Sequence, residues 1–246
     1  MILDKMSLKN RVAIVTGAGN GIGKSIALSF AEAGANVVVA DLAIKQAEET
    51  AAEIEKIGTK ALASQVDIQK MTEVGQVIKR TIDEFKTIDI LVNSAGVAIE
   101  KAFLDLSEQD WDIILNVNLK GSVNCVRAVL PQMMKQKKGS IINIASGGGL
   151  RGIPNNTAYS ASKGGIVAFT YALGDEIRDT GIRTNVICPG PVRTPMLEKS
   201  GVKDFLAKSG ELLEPDEVAG AALYLASDLS GQVNSQAIVV KTKSRW

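Results

Sequence analysis

The sequence predicts an α/β fold: a doubly wound parallel sheet of about seven strands with helices on both faces. Short apolar runs recur along the 246 residues, and stretches with helical patterning separate each from the next. Such alternation is the signature of parallel pairing, because each crossover between parallel strands needs a helix-length connection. The runs are alike in character and evenly spread, with no linker, internal repeat or low-complexity tract between them. Residues 1–246 are therefore expected to form a single domain.

The first run, 12–16, ends in Gly17-Ala18-Gly19-Asn20-Gly21-Ile22-Gly23, and a helical pattern follows over 24–33 until Gly34 stops it. Strand, glycine turn and helix together offer backbone N–H groups and a helix N-terminus to a pyrophosphate, although the same turn also serves as an ordinary connection. The fingerprint G-x-G-x-x-G does not fit, because its third glycine would fall on Ile22; T-G-x-x-x-G-x-G fits over 16–23. Strand 36–40 delivers Asp41 at its end. A carboxylate there, about twenty residues past the glycines, either accepts the ribose hydroxyls of NAD while repelling the 2′-phosphate of NADP, or caps the next helix.

Helix 45–57 ends at Gly58, strand 61–66 leads to Asp67-Ile68, and helix 72–85 precedes strand 88–92, which runs into Asn93-Ser94-Ala95-Gly96. Ser107 is a plausible N-cap for a helix continuing through Asn116 and Asn118 to Gly121. Strand 140–145 places Ser146 at its C-terminal edge, where ligands bind in open parallel sheets. Gly147-Gly148-Gly149 would leave room near a reacting carbon, and residues 150–156 would form a pocket wall. Strand 183–188, helix 218–227 and strand 236–240 complete the pattern.

Hydrophobic residues make up 46% and charged residues 22%, ordinary globular usage that argues against disorder. A net charge of +1 without a basic block leaves no footprint for nucleic acid. The absence of histidine excludes a Ser-His-Asp triad and every histidine metal site, so proton transfer must use Tyr, Lys or a carboxylate. Cys125 and Cys188 read as buried apolar residues of a reducing compartment. The first six residues lack the features of a secretory leader, and no apolar run is long enough for a bilayer, so a soluble cytoplasmic protein is expected.

Tyr159 and Lys163 stand four residues apart in Tyr159-Ser160-Ala161-Ser162-Lys163. On a helix this brings phenol and ammonium to one face. At about 4 Å and an effective dielectric of ~20 they would attract by about 4 kcal/mol. That is on the order of three pKa units, enough to bring a phenol from ~10 toward neutrality. Unrelated surface neighbours show the same spacing, so the pair gains meaning only from its company.

That company resembles the short-chain dehydrogenase/reductase family over nearly the whole chain. The resemblance rests on the glycine turn of 16–23, on Asp67-Ile68, on Asn93-Ser94-Ala95-Gly96, and on Asn118 directly before Leu119-Lys120-Gly121. It rests further on Ser146 thirteen residues before Tyr159, and on Pro189-Gly190-Pro191-Val192-Arg193-Thr194-Pro195-Met196.

The resemblance implies a Rossmann-type domain with strand order 3-2-1-4-5-6-7 and an oxidoreductase acting on an alcohol or carbonyl substrate. Asn118, Ser146, Tyr159 and Lys163 would be catalytic. Gly17, Asn20, Gly21, Ile22, Gly23, Asp41, Leu42, Asp67, Ile68, Asn93, Tyr159, Lys163, Val192 and Thr194 would bind the cofactor. NAD is expected, since NADP users of the family often carry Arg at the position of Asn20; no metal is expected. Residues 195–214, with Val202, Phe205 and Leu206, would form a substrate lid. Arg151, Arg193 and Lys199 either meet an anionic substrate or are solvated.

A homo-oligomer, dimer or tetramer, is expected. Asn234-Ser235 and Lys241-Thr242-Lys243 stand where relatives commonly carry Thr-Gly and Asp-Gly-Gly, which puts a second tetramer interface in doubt. Ser94 stands where relatives usually carry a second Asn. One alternative is an NADPH-dependent 3-oxoacyl-thioester (acyl carrier protein) reductase, against which Asp41 and Asn20 speak. Another is a catalytically silent nucleotide-binding sensor or scaffold.

Overall fold

The structure, a computed structural model, describes residues 2–198, 200–201 and 212–242. Strand β1 (Val12–Thr16) leads into α1 (Gly21–Glu32), β2 (Asn36–Asp41) into α2 (Ile44–Ile57), and β3 (Ala61–Gln65) into α3 (Met71–Phe85). After β4 (Ile90–Asn93) come α4 (Glu108–Leu115), a π-helical segment (Asn116–Gly121) and α5 (Ser122–Gln136). Next are β5 (Gly139–Ile144), the single turn α6 (Gly148–Arg151), α7 (Thr157–Glu176) and β6 (Ile182–Pro189). The short α8 (Pro195–Glu198), α9 (Pro215–Ala226) and β7 (Ala237–Val240) follow.

The seven strands form one sheet in the order β3-β2-β1-β4-β5-β6-β7, and every neighbouring pair is parallel. This is the expected order. Strands β1, β4 and β5 are buried at every position, which is why they read as continuous apolar runs rather than alternating ones. Helices α1, α2 and α9 cover one face through Ile26, Phe30, Ile54 and Val218. Helices α3, α5 and α7 cover the other through Val74, Val77, Val129, Met133 and Leu173.

The helix expected to stop at Gly121 instead continues through α5. Cys125, Val126, Val129 and Met133 recur at helical spacing and bury one face, which sustains the helix beyond the glycine. Gly121 itself is a contact point: an added Cβ would lie 2.6 Å from Ile68 Cδ1. Ser107 caps α4 as expected, in a reciprocal box with Asp110.

The glycine turn is shaped by close approach. Gly17 has φ +64°, and a Cβ there would meet the Ala95 backbone at 2.6 Å. A Cβ on Gly23 would lie 2.1 Å from the Gly17 carbonyl oxygen, so α1 starts directly on the turn. Gly23→Ala is expected to destabilise the protein by about 1–3 kcal/mol, because backbone cannot yield as a side chain would. A urea midpoint unchanged from wild type would contradict that packing.

The expected lid falls largely outside the described residues: Lys199, Val202, Phe205 and Leu206 all lie there, as does Lys243. What is described is its base, where Val192 bridges to Leu213 and Arg193 N–H donates to the Leu213 carbonyl at 2.9 Å.

Candidate active site

Ser146, Tyr159 and Lys163 meet where β5 ends and α7 begins. Ser146 follows β5 by two residues, its Oγ accepts the Gly148 N–H at 3.0 Å, and its hydroxyl lies near enough to the Tyr159 phenol to favour the phenol's ionised form. Lys163, one turn further along α7, is 4% exposed, and its Nζ donates to the Ile144 carbonyl at 2.8 Å. A Cβ on Gly149 would strike the backbone of Lys163 and Gly164 at 2.6–2.8 Å. Gly149 therefore lets the serine loop seat on α7 rather than leaving room for a reacting carbon, and Gly148 likewise accommodates Ile153.

The expectation that Lys163 would draw the phenol toward neutrality needs correction. The ammonium turns toward Ile144 and stands 5.8 Å from the tyrosine ring centroid. Burial pushes the Tyr159 pKa above its usual value, and only the neighbouring Ser146 hydroxyl opposes this. Burial also lowers Lys163 to about 8, so its charge is lost in the alkaline range where a phenol titrates.

Asn118 lies at 0% exposure inside the π-helical segment, an arrangement frequent at functional sites. Its Oδ1 accepts from Val97 N–H at 2.8 Å, and its Nδ2 donates to the Val97 carbonyl at 2.9 Å and to Ser162 Oγ at 3.0 Å. Ser162 in turn donates to the Tyr159 carbonyl at 2.7 Å. Asn118 is thereby tied to the tyrosine-bearing helix, through a serine that sequence reasoning passed over. Its position between Tyr159 and Lys163, three residues after Tyr159, was the available signal.

Both amide hydrogens of Asn118 are spent, but Oδ1 keeps one acceptor site. A Cβ on Gly96 would stand 3.3 Å from Asn118 Oδ1 and 3.4 Å from Lys163 Nζ, so both atoms face Gly96. Gly96 is a second residue given no individual role beforehand.

Beside this centre, at the C-terminal edge of the sheet, lies a crevice of about 280 Å³. Gly17, Asn20, Gly21, Ile22, Gly23, Asp41, Leu42, Asp67, Ile68 and Thr194 line it, together with Gly96, Val97 and Met196. Asp41 Oδ2 accepts from Gly19 N–H at 2.8 Å and Oδ1 from Ala43 N–H at 2.9 Å, so the carboxylate braces the glycine turn. Asp67 is engaged with Gln69 and Lys70. Thr194 packs over Gly21, where an added Cβ would meet its methyl at 3.3 Å.

The side chains of Asn93 and Val192 do not line the crevice. Asn93 is 3% exposed and donates to Asn143 Oδ1 at 2.9 Å, which makes it an internal tie between β4 and β5. Val192 turns its side chain into the core, and it is the Val192 backbone that was expected to meet the cofactor's carboxamide. The Ser94 departure is harmless to the turn, because Thr16 Oγ1 receives only its backbone N–H, at 3.2 Å.

Arg193 is paired with Glu214 at 2.9 Å, and Arg151 is an exposed residue of α6. Cys125 and Cys188 are both buried, and burial raises their thiols to about 12 and about 11. Among the described residues no helix is long and apolar enough to cross a membrane.

These features have a family. The chain belongs to the short-chain dehydrogenase/reductase family of oxidoreductases: the family model for short chain dehydrogenases matches residues 11–204. It is 43% identical over 240 residues to the (2S)-[(R)-hydroxy(phenyl)methyl]succinyl-CoA dehydrogenase subunit BbsD of Thauera aromatica, across 96% of each protein. It is 36% identical over 238 residues to the 3-oxoacyl-[acyl-carrier-protein] reductase FabG of Thermotoga maritima, covering 95% of this chain and 97% of that one. The solved structure of a 3-ketoacyl-(acyl-carrier-protein) reductase from Brucella melitensis, complexed with NADH, matches with a TM-score of 0.91 at 34% identity. It covers 96% of this chain and 98% of that one.

The family binds a nicotinamide cofactor, and the residues present fit one. Gly17, Gly21 and Gly23 place no Cβ where the start of α1 meets the crevice, Gly96 adds none on the far wall, and a carboxylate edges the pocket 2.8 Å from the turn's own backbone.

Proposed function

We propose that the protein is an NAD(H)-dependent oxidoreductase that moves a hydride between nicotinamide and the carbon of a secondary alcohol or ketone. The observation that carries this reading is the convergence of the Ser146 and Tyr159 hydroxyls at the sheet edge, with Lys163 buried beside them. Asp41 supports NAD over NADP, because its carboxylate lines the crevice and would face a 2′-phosphate with like charge.

When bound, the nicotinamide would accept or supply the hydride. In reduction, Tyr159 donates its phenolic proton to the carbonyl oxygen while Ser146 hydrogen-bonds and orients the same oxygen. In oxidation, Tyr159 takes the hydroxyl proton. Its raised pKa makes it a proton donor as it stands, and makes alcohol oxidation faster as pH rises. Lys163 holds the ribose side of the cofactor, and a water between its Nζ and Asn118 Oδ1 would relay the proton outward past Gly96. No metal enters these steps.

The substrate class to try first is a thioester bearing the hydroxyl or ketone on its acyl chain. Two relatives, by their names, act on a CoA thioester and on a 3-oxoacyl carrier protein. The 3-oxoacyl-thioester reductase reading shares this chemistry and differs in cofactor and direction. The test is nicotinamide absorbance during turnover of hydroxyacyl-CoA, 3-oxoacyl-CoA and simple secondary alcohols, with NAD and NADP in parallel. NAD-linked turnover is expected. A strong NADP preference would favour the reductase alternative, and silence with every substrate alongside tight NAD binding would favour the nucleotide-binding scaffold.

A further inference from the structure

Asn20 sits at the position that caps α1, where an asparagine ordinarily accepts a hydrogen bond from the first turn of its own helix. Here it makes no cap bond. Its amide turns away, and Nδ2 donates to Gln46 Oε1 on the first turn of α2 at 2.9 Å. Gln46 is also held from below. A Cβ on Gly19 would stand 2.7 Å from Gln46 Cβ and 3.0 Å from Asp41 Oδ2, so the glutamine stem and the carboxylate both press on the glycine. The Asn20–Gln46 bridge thus straps the glycine turn to α2 beside Asp41, along the rim of the crevice.

We propose that Gln46 is a specificity-determining residue for the cofactor: by engaging Asn20 it keeps an amide donor away from the place where the 2′-phosphate of NADP would sit. This rests on the reading of the crevice as an NAD site with its ribose at Asp41. A 2′-phosphate needs N–H donors or cations. The rim offers it a carboxylate and the Gln46 carbonyl oxygen, and the Asn20 amide is held turned toward Gln46 with one of its two N–H groups bound there. Freed from Gln46, Asn20 has two N–H donors able to turn inward, even with Asp41 in place. Gln46 acts through Asn20 and is a positioning residue.

The test is calorimetric binding of NAD, NADP and the fragments 5′-AMP and 2′,5′-ADP to wild type, Gln46→Ala, Gln46→Glu and Asp41→Ala. Wild type is expected to prefer NAD and 5′-AMP. Gln46→Ala should narrow that preference by about tenfold, the worth of one charge-assisted hydrogen bond gained, with 5′-AMP affinity within about twofold of wild type. Gln46→Glu, which can still accept from Asn20, should keep or widen the preference. Asp41→Ala should narrow it more. A Gln46→Ala preference equal to wild type, with Asp41→Ala narrowed, overturns the proposal and leaves the NAD reading intact. An equal loss of both fragments in Gln46→Ala also overturns it, since the residue would then only shape the turn. A wild type that prefers NADP and 2′,5′-ADP refutes the NAD reading, and the proposal with it.

Discussion

Tyr159→Phe is expected to lower kcat by about 10²–10⁴-fold, the usual contribution of a positioned acid–base group, while NAD binding stays within about threefold of wild type. The substitution removes one oxygen. The ring stays in the half-buried seat that α7 gives it, so the packing of the helix onto the serine loop is retained. What disappears is the proton donor beside Ser146. Ser146 cannot take over, because an aliphatic hydroxyl is a far weaker acid than a phenol. Nicotinamide absorbance during turnover reads the first quantity and calorimetry the second. A variant retaining a tenth of wild-type activity would remove Tyr159 from the chemistry and reassign the proton to another group, with Lys163 first in line.

The pH dependence follows from the same burial. A phenol pushed above its usual pKa remains protonated at neutral pH, so ketone reduction should be level from pH 6 to 8 and fall in alkali. Alcohol oxidation should climb with pH over the same range. The reverse pattern would mean that the phenol is ionised in the resting enzyme.

Most of the sheet was legible because its strands are buried on both faces and therefore apolar without interruption. Periodicity does not encode strand order, which came from family resemblance alone. The π-helical segment was invisible, because Asn116-Val117-Asn118-Leu119-Lys120-Gly121 is an unremarkable helical string and only the Val97 and Ser162 contacts reveal what holds Asn118. Four-residue spacing placed Tyr159 and Lys163 together but gave no direction for the amine, which found the Ile144 carbonyl. Gly149 was misread for a similar reason. A glycine announces close approach without naming the neighbour, and here the neighbour is α7.

Lys163→Met is expected to lose activity by at least about a hundredfold and yet to melt at a higher temperature at neutral pH. Lys163 is 4% exposed, and burial lowers its pKa from 10.5 to about 8. The unfolded chain therefore binds a proton more tightly than the folded one. Between pH 8 and 10.5 unfolding takes up a proton, so wild-type stability rises with pH across that window. Below about pH 8 both states are protonated and the full cost of the buried charge is felt, on the order of 3 kcal/mol.

Methionine is of similar length and fills the same buried space without the charge. It also strands the Ile144 carbonyl, which costs about 1–2 kcal/mol. The net gain of about 1–2 kcal/mol corresponds to roughly 2–8 °C in a protein of this size. Above pH 10.5 the sign should reverse, because a neutral amine still donates to Ile144 while methionine cannot. Circular dichroism melts at pH 7 and pH 10.5 measure both limits. A variant less stable than wild type at pH 7 would show that the surroundings favour the ammonium, and the protein would not be giving up stability to keep a charged group beside its tyrosine.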